Sequence, residues 1–421
     1  METLKSDGKK NNLELYLNDV YEKECVFKIE QEEVEFIQTG IETLVQDLVD
    51  QILADDRIHQ LLSDEIDRFL EEIYNKKNIV EVCFPIQSDC SLQRYIAENA
   101  SGVKTVKSTI ITVGSFYDGT KNNFPDEFDF IFPVLGLRKH AFNLFTTPLL
   151  YPIRNAIRSS RMSLYYTNLC EKHHVTRKIN FEKFIGEHGP ACKMQFIYRN
   201  GSGEKIPIYV DLVPVFKIID SNTLQWFVKD VTEYVKPKTF REAILSEEKC
   251  LTVNGNLSFT EIEQHFMKNI LSKKHVKVTR ILKYLLNGNG DGEKLEENNK
   301  LSLLDLGTYY TSYCIKVLMI YHHEVCTNTD TDDLGPCALQ VLKEMSTHET
   351  LERFPMFIRS VYTLRAFCVL PYLKFTIATL QSMQMSEDSY DYERDKIKSV
   401  SRQYLDSVTL LEKIRQRCVI L

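Results

Sequence analysis

Two runs of the sequence that otherwise read as buried β-strands are interrupted by acidic residues, and this pattern restricts the available folds more than any other. The run at 127–132, EFDFIF, places Glu127 and Asp129 on one face and its phenylalanines on the other, because side chains alternate along a strand. The run at 206–216, IPIYVDLVPVF, sets Asp211 among apolar residues. Acids are depleted in strands and costly to bury, so the pattern favours a sheet in which a cation neutralises them.

Glu127, Asp129 and Asp211 are therefore the predicted catalytic residues and also the predicted metal ligands. Carboxylate oxygens suit Mg²⁺ or Mn²⁺, and three acids on neighbouring strands can hold two such ions over a triphosphate. Gly114 and Ser115 follow another β-like run, STIITVG, and would offer backbone N–H groups and a hydroxyl to phosphate oxygens. Each feature is common when taken singly, and a solvated acidic face is the alternative.

The chain divides into a part that mixes helices with strands and a part that is all helical. Runs rich in β-branched and aromatic residues predict one mixed sheet, and apolar residues at helical spacing from Ile41 to Ile73 predict a long N-terminal helix, or two in succession. The predicted class is α+β. We expect four parts: a polar N-terminal segment (1–35), a core lobe (36–250), a helical lobe (251–385), and a C-terminal helix and tail (386–421).

Charge is unevenly distributed along the sequence. The whole chain carries a formal charge of −7, and the predicted N-terminal helix is acidic, so neither attracts nucleic acid. Residues 138–180, in contrast, contain eight Lys or Arg against the single acid Glu171. This segment predicts contact with double-stranded RNA or DNA through phosphates and shape, with an ordinary basic surface as an equal alternative.

Cysteine usage and the two ends of the chain bear on its compartment. Eleven cysteines occur without a CxxC pair, which favours a reducing compartment and hence the cytoplasm. The first residues are polar where a signal peptide would be apolar, and no apolar run reaches the roughly 18 residues of a membrane span. The last four residues, CVIL, match the C-a-a-X pattern, so we predict prenylation of Cys418 and membrane association, with an unmodified helix end as the alternative.

The arrangement resembles the nucleotidyltransferases of the male-abnormal (Mab) family, in particular cyclic GMP-AMP synthase and its animal relatives, the cGAS-like receptors. The resemblance is carried by the Gly-Ser dipeptide, the step of twelve residues from Ser115 to Glu127, the phrase EFD and the later Asp211, and it extends over roughly residues 40–360. It implies a nucleotidyltransferase core that joins ATP, GTP or other nucleoside triphosphates into a cyclic dinucleotide. It also implies a role in innate immunity, with a STING-type receptor reading the product.

The resemblance further implies roles for residues of the predicted helical lobe. Ser258 and Glu263 would contact nucleotides at the junction of the lobes, and Lys283 would steady the triphosphate. Ser312 would bind phosphate, and Tyr313 would stack on a base.

Two departures from the family pattern qualify these implications. Asn256 stands where the family has an arginine, which leaves the two bases open. The vertebrate zinc insertion is absent, because residues 264–283 contain no cysteine. Other possible zinc ligands occur later in the chain: His322, His323, Cys326 and Cys337. The ten residues between those two cysteines do not form a standard short knuckle, so no zinc is expected.

Two other functions fit the same residues. A non-catalytic scaffold or developmental protein of the Mab family would keep the fold, although it has no need to hold three carboxylates together. An enzyme that extends RNA by single nucleotides would use the same acids and the same ions, and its product would be linear.

Overall fold

The computed structural model describes residues 12–56, 60, 110–137, 151–159, 165–170, 175–188, 191–218, 238–239, 242, 251–253, 256–286, 312–347 and 369–385. The helices are α1 (Asn12–Val20), α2 (Gln31–Leu53), α3 (Gly114–Tyr117), α4 (Tyr151–Ser159), α5 (Thr260–His265), α6 (Lys273–Leu286), α7 (Ser312–Val325), α8 (Gly335–Thr347) and α9 (Val369–Met385), with π-helical turns at Tyr21–Cys25 and Phe266–Ile270. The strands are β1 (Ile111–Val113), β2 (Glu127–Leu137), β3 (Tyr165–Cys170), β4 (Val175–His188), β5 (Ala191–Arg199), β6 (Lys205–Ile218), β7 (Leu251–Val253) and β8 (Asn256–Ser258). These elements confirm the predicted α+β class.

The strands form one mixed sheet in the order β1-β2-β6-β5-β4-β3, and the β7–β8 hairpin is attached to the end of β6. β2 and β6 run parallel, whereas β1, β3, β4 and β5 each pair antiparallel with their neighbours. The two strands that carry the acids are therefore direct neighbours within the sheet. Strand β3 and the beginning of β4 lie inside the segment 138–180, where the sequence analysis recognised only charge.

One face of the sheet packs against helix α2 to form the core of the first lobe. Phe128 and Phe130 on β2, with Val210 and Leu212 on β6, have no exposed surface and belong to this core. They alternate with the acidic residues, so the phenylalanines turn to the helix while the acids turn to the opposite face. The alternation predicted from the sequence is confirmed for β2.

Helix α2 lies close against the sheet, and two features explain the contact. A Cβ atom at Gly40 would lie 2.6 Å from a carbon of Ile179 and 2.7 Å from a carbon of Tyr166, so only glycine permits this approach. Glu42 on the same helix accepts a hydrogen bond of 2.9 Å from the Tyr117 hydroxyl. The helix begins at Gln31, ten residues before the predicted start, and ends at Leu53, while residues 57–59 and 61–73 of the predicted helix lie outside the described residues.

The helical lobe has a second core, formed by α1 and by helices α5 to α9. Helix α1 lies within the segment that the sequence analysis predicted to be polar, yet Leu13 and Leu17 are fully buried in this lobe. The Glu14 carboxylate accepts hydrogen bonds from the backbone N–H groups of Leu334 (2.9 Å) and Gly335 (2.6 Å), where α8 begins. The N-terminal residues therefore return to cap a helix that lies more than 300 positions away in the sequence.

Candidate active site

Glu127, Asp129 and Asp211 lie on the same face of two adjacent strands. Asp129 is the direct partner of Asp211 in the parallel pairing of β2 with β6, and Glu127 precedes Asp129 by two residues on β2. Neighbouring strands lie about 4.8 Å apart, so the side chains of Asp129 and Asp211 leave the sheet side by side. The structure thus brings the three predicted acids together.

Gly114 lies directly against Asp129. Its backbone has φ +83°, in the left-handed region, and a Cβ there would come within 2.6 Å of the Asp129 carboxyl carbon and 2.8 Å of the Asp129 Cβ. Val113, the preceding residue, pairs with Asp129 across β1 and β2. The positive φ and the closeness of Asp129 both require glycine at position 114. The glycine leaves the backbone of the predicted Gly114-Ser115 pair beside the carboxylates.

Lys121 forms an ion pair with one of these acids and with the residue that precedes it. Its ammonium lies 2.8 Å from a carboxylate oxygen of Asp126 and 3.2 Å from one of Glu127. Burial by itself would raise the pKa of Glu127, but the charge and hydrogen bond of Lys121, together with the charges of Lys193 and Lys283, hold that pKa below its ordinary value. Glu127 is therefore ionised at neutral pH, partly neutralised by one lysine.

The pKa of Asp129 is shifted in the opposite direction from that of Glu127. Burial raises its pKa to about 7, and the charges of Glu127 and Asp211 add to the effect. Three carboxylates this close repel one another, and a divalent cation would relieve the repulsion. Carboxylate oxygens are the ligands that Mg²⁺ and Mn²⁺ prefer, so the residues fit the ions that the sequence predicts.

Residues 118–122, between α3 and β2, contact charged side chains of the helical lobe. We call this stretch the bridging segment. Lys283 on α6 donates a hydrogen bond of 2.9 Å to the backbone oxygen of Thr120. Burial lowers the pKa of Lys283 to about 8, and the nearby charge of Lys121 contributes to this. Asn122 donates to the backbone oxygen of Arg280, also on α6, at 2.9 Å. The bridging segment thus joins the first lobe to α6.

Lys316 on α7 completes the junction. It forms ion pairs of 3.2 Å with Asp118 and 3.0 Å with Glu263, and its side chain is 10% exposed. Burial by itself would lower the pKa of Lys316, but the two carboxylates raise it well above its ordinary value, so the ammonium stays charged. Glu263 also accepts a hydrogen bond of 2.8 Å from the Tyr313 hydroxyl. Glu263 and Tyr313, both predicted to bind nucleotide, thus contact each other across α5 and α7.

No protein-family description and no curated protein matches this sequence. Solved structures to which the chain is similar include two cyclic dinucleotide synthases. One is the CdnE synthase of Elizabethkingia meningoseptica with GTP and Apcpp, at 14% identity and a TM-score of 0.32, covering 68% of this chain and 91% of that one. The other is the STING-associated CdnE c-di-GMP synthase of Capnocytophaga granulosa, at 13% identity and a TM-score of 0.33, covering 89% and 99%. At TM-scores this low, the fold class rests on the sheet and helices described above.

The remaining predicted nucleotide contacts flank the same junction. Ser258 is the last residue of β8, just before α5, and Ser312 is the exposed first residue of α7. Cys418 lies outside the described residues. Among the described helices, none is both long enough and apolar enough to cross a membrane.

The described basic residues of segment 138–180 are either buried or held by neighbouring side chains of the first lobe. Arg177 is buried and forms an ion pair of 2.9 Å with Glu32. Arg158 pairs with Glu187, and the Lys178 ammonium lies 5.1 Å from the centre of the Tyr165 ring. Arg154 is also buried. The other four basic residues of the segment lie outside the described residues: Arg138, Lys139, Arg161 and Lys172.

Three lysines near the acids were missed by the sequence analysis: Lys121, Lys193 and Lys316. Lys193 on β5 is the direct partner of Asp211, and its ammonium lies 5.4 Å from the ring centre of Tyr209. Alternation on β5 would have placed it on the acidic face once the neighbour of β6 was known. The positions of Lys121 and Lys316 depend on contacts between distant segments, which the sequence does not display.

Proposed function

We propose that this protein is a nucleotidyltransferase that depends on divalent metal ions and joins two nucleoside triphosphates into a cyclic dinucleotide. One observation carries the proposal. Glu127, Asp129 and Asp211 leave adjacent parallel strands on one face, and Gly114 packs against Asp129. An oxygen-only set of three acids beside a glycine turn suits a triphosphate with its metal ions better than it suits a structural salt bridge.

The three acids would hold two Mg²⁺ or Mn²⁺ ions. When bound, the ions lower the pKa of an attacking hydroxyl and neutralise charge on the triphosphate. Glu127 and Asp129 would contact both ions, and Asp211 would complete the site that activates the hydroxyl. The pKa of Asp129, raised to about 7, means that this side chain gives up a proton when a cation arrives near neutral pH.

The reaction forms one bond between a ribose oxygen and an α-phosphorus and breaks the bond from that phosphorus to the oxygen bridging to the β-phosphate. The hydroxyl loses its proton, and pyrophosphate leaves. A second, equivalent step between the same two nucleotides closes the ring. The residues of this chain would position the two partners so that the attacking and leaving oxygens lie in line.

Cations and small residues at the junction would hold the phosphates. Gly114 and Ser115 lie beside the acids, and Lys283 lies at the bridging segment, so these three would contact the triphosphate. Ser312 as a phosphate ligand, and Ser258, Glu263 and Tyr313 as nucleotide contacts, are also part of the proposal. Because Glu263 already receives Lys316 and the Tyr313 hydroxyl, we propose that it shapes the base pocket rather than binding phosphate.

The proposed enzyme would act in signalling. The basic segment 138–180 supports activation by double-stranded nucleic acid, the ending CVIL supports prenylation at Cys418, and the family resemblance implies a STING-type receptor for the product. A duplex that docked on 138–180 would compete with Glu32 and Glu187 for Arg177 and Arg158, or would use the four basic residues outside the described ones. Innate immune signalling is the role that this combination implies.

The test is to incubate the purified protein with four labelled nucleoside triphosphates and Mg²⁺ or Mn²⁺, alone, with duplex RNA or with duplex DNA. Phosphatase treatment then removes unreacted nucleotides. We expect a phosphatase-resistant dinucleotide in the wild type and none with Asp129→Asn. The matched control is Glu182→Gln, which removes an exposed acid from β4.

The rival functions predict different products. A linear product that grows on added RNA would replace the proposal with an RNA-extending nucleotidyltransferase. Absence of any nucleotide product, together with no Mn²⁺ binding by calorimetry, would favour a non-catalytic scaffold.

A further inference from the structure

Four potential metal ligands meet inside the helical lobe, away from the three acids. His275 lies near the start of α6, His322 lies in the last turn of α7, Cys326 follows that helix, and Cys337 lies in the first turn of α8. One ligand atom from each residue lies within 4.8 Å of the others. His275, His322 and Cys337 are buried, and Cys326 is half-buried.

The distances match those of a tetrahedral zinc site. The two sulfurs of Cys326 and Cys337 lie 3.8 Å apart. Zinc–sulfur bonds of about 2.3 Å at tetrahedral angles separate two sulfurs by about 3.8 Å, whereas a disulfide requires about 2.05 Å. The Cys337 sulfur lies 3.5 Å from Nε2 of His275. A zinc–nitrogen bond of about 2.0–2.1 Å predicts about 3.5 Å for that separation.

The ring of His322 supplies an independent observation. Only 1% of this residue is exposed, and neither ring nitrogen has a hydrogen-bond partner among the described residues. A buried polar atom without a partner costs about 1–3 kcal/mol, so an arrangement of this kind needs an explanation. A metal bound by one nitrogen would give it the missing partner.

His323 positions the ring of His275. The two Nδ1 atoms lie 2.8 Å apart, so one donates a hydrogen to the other. If Nδ1 of His275 carries the hydrogen, Nε2 has a free lone pair directed toward the cysteines. Zinc-binding histidines commonly donate their second ring N–H in this way, which fixes the tautomer.

We propose that His275, His322, Cys326 and Cys337 bind one structural Zn²⁺ ion. The four protein ligands close the coordination sphere, which distinguishes a structural ion from a catalytic one with an open position. Binding releases the two thiol protons, because thiolate is the form that coordinates the metal. The set differs from the ligands considered from the sequence by one residue, His275 in place of His323, and it replaces the expectation that the chain holds no zinc.

The site connects the helices that carry the cations of the junction. His275 lies eight residues before Lys283 on α6, and His322 lies six residues after Lys316 on α7. Through the ion, Cys337 would attach the start of α8 to both helices, and Cys326 would attach the residue that follows α7. The ion would therefore fix the spacing of α6 and α7, and with it the positions of Lys283 and Lys316 relative to the bridging segment.

The first experiment measures zinc in the full-length protein by mass spectrometry after purification without chelators. We expect one zinc ion per chain in the wild type and a near-complete loss in Cys326→Ser and Cys337→Ser. Cys314→Ser is the matched control, because it removes a buried thiol on α7 that is not one of the proposed ligands, and it should keep the ion. His323→Asn should weaken zinc affinity by about 10- to 100-fold without abolishing it, because it removes only the partner of His275.

The second experiment covers the case in which the cysteine variants do not fold. Wild-type protein in which cobalt replaces zinc should show the visible absorption bands of a tetrahedral thiolate site, and a chelator should remove zinc and lower the midpoint of thermal unfolding. The proposal would be overturned if protein from cells grown in zinc-supplemented medium held no bound metal while all of its cysteine thiols reacted with a thiol reagent. A disulfide between Cys326 and Cys337 in the intact protein would overturn it as well. Neither result depends on nucleotide activity, so failure here is distinct from failure of the proposed function.

Discussion

The two sides of the junction handle buried charge in opposite ways. On the sheet, Glu127, Asp129 and Asp211 bring three carboxyl groups together, and Lys121 pairs with Glu127 and Asp126. In the helical lobe, the single charge of Lys316 lies between Asp118 and Glu263. The pKa of Asp129 rises toward neutrality on the first side, whereas on the second side the carboxylates keep Lys316 charged.

The acids on the sheet are suited to bind an added cation, whereas the Lys316 network already contains its own. Repulsion among the acids destabilises the metal-free protein and is relieved by a ligand, so it favours binding. The Lys316 network has its counter-ions built in, so its loss should affect folding more than binding. Substitutions on the two sides should therefore move stability in opposite directions.

The largest effect is expected for Asp129→Asn. Product formation should fall by about 1000-fold or more, because the amide cannot neutralise a divalent cation. Stability should move the other way. The folded-state pKa of about 7 lies above the ordinary value of about 3.9, so the wild type loses stability as pH rises from about 4 to about 7, and the variant does not.

Thermal unfolding without Mg²⁺ or Mn²⁺ tests the stability part of this prediction. At pH 8 the Asp129→Asn variant should unfold a few degrees above the wild type, and at pH 4 the difference should disappear. Glu182→Gln should change neither activity nor the pH profile. A variant that unfolds below the wild type at pH 8 would show that Asp129 is not strained by its neighbours.

The second prediction concerns Lys316→Met on the other side of the junction. Removal of the ammonium leaves Asp118 and Glu263 buried without their cation, and we expect the free energy of unfolding to fall by about 3–5 kcal/mol. Urea unfolding would measure the loss. Lys343→Met removes an exposed lysine from α8 and should change stability by less than about 0.5 kcal/mol. Equal stability of both variants would mean that the network contributes nothing net.

Gly114→Ala should reduce activity by about 100-fold, because the new methyl group collides with the Asp129 carboxylate and displaces a ligand. Gly203→Ala is the matched control. Gly203 also has φ +83°, but a Cβ there would meet nothing within 4 Å. Both variants carry the backbone strain, so the difference in activity and in Mn²⁺ affinity isolates the collision. Similar losses in both would attribute the effect to backbone strain alone.

The smallest effect is the pH dependence of triphosphate binding through Lys283. Its pKa of about 8 means that the ammonium loses its proton above that pH, so the KM for the triphosphate should rise up to about tenfold per pH unit on the alkaline side. Lys283→Arg keeps the charge at all these pH values and should flatten the rise. An unchanged alkaline profile in the arginine variant would assign the titration to another group.

The sequence predicted the acidic face because its cause is local. Alternation along a strand sorts Glu127 and Asp129 from Phe128 and Phe130 without knowledge of any other segment. Strand β4 escaped notice because Lys and Arg interrupt its apolar residues, and β3 because it is short and lies in a segment whose charge dominates the pattern. Once folded, Arg177 is buried against Glu32, which no local pattern announces.

Contacts between distant segments account for the rest. Helix α1 looked polar because a few apolar residues on one face are enough to dock it, and its own Glu14 caps α8. His275 was absent from the ligands considered for zinc, since it lies 62 positions before Cys337. Spacing rules recognise ligands that are close in sequence, whereas packing of α6 against α7 and α8 decided this set.

The bridging segment has a consequence for motion. Within five residues, Asp118 binds Lys316, Thr120 receives Lys283, Lys121 reaches Glu127, and Asn122 binds the backbone of Arg280. Any opening between the lobes must therefore stretch or break these bonds, rather than turn about a free hinge. The segment acts as a spacer of fixed length, so inserting even one residue into it would change the distance between the acids on the sheet and the lysines of the helical lobe.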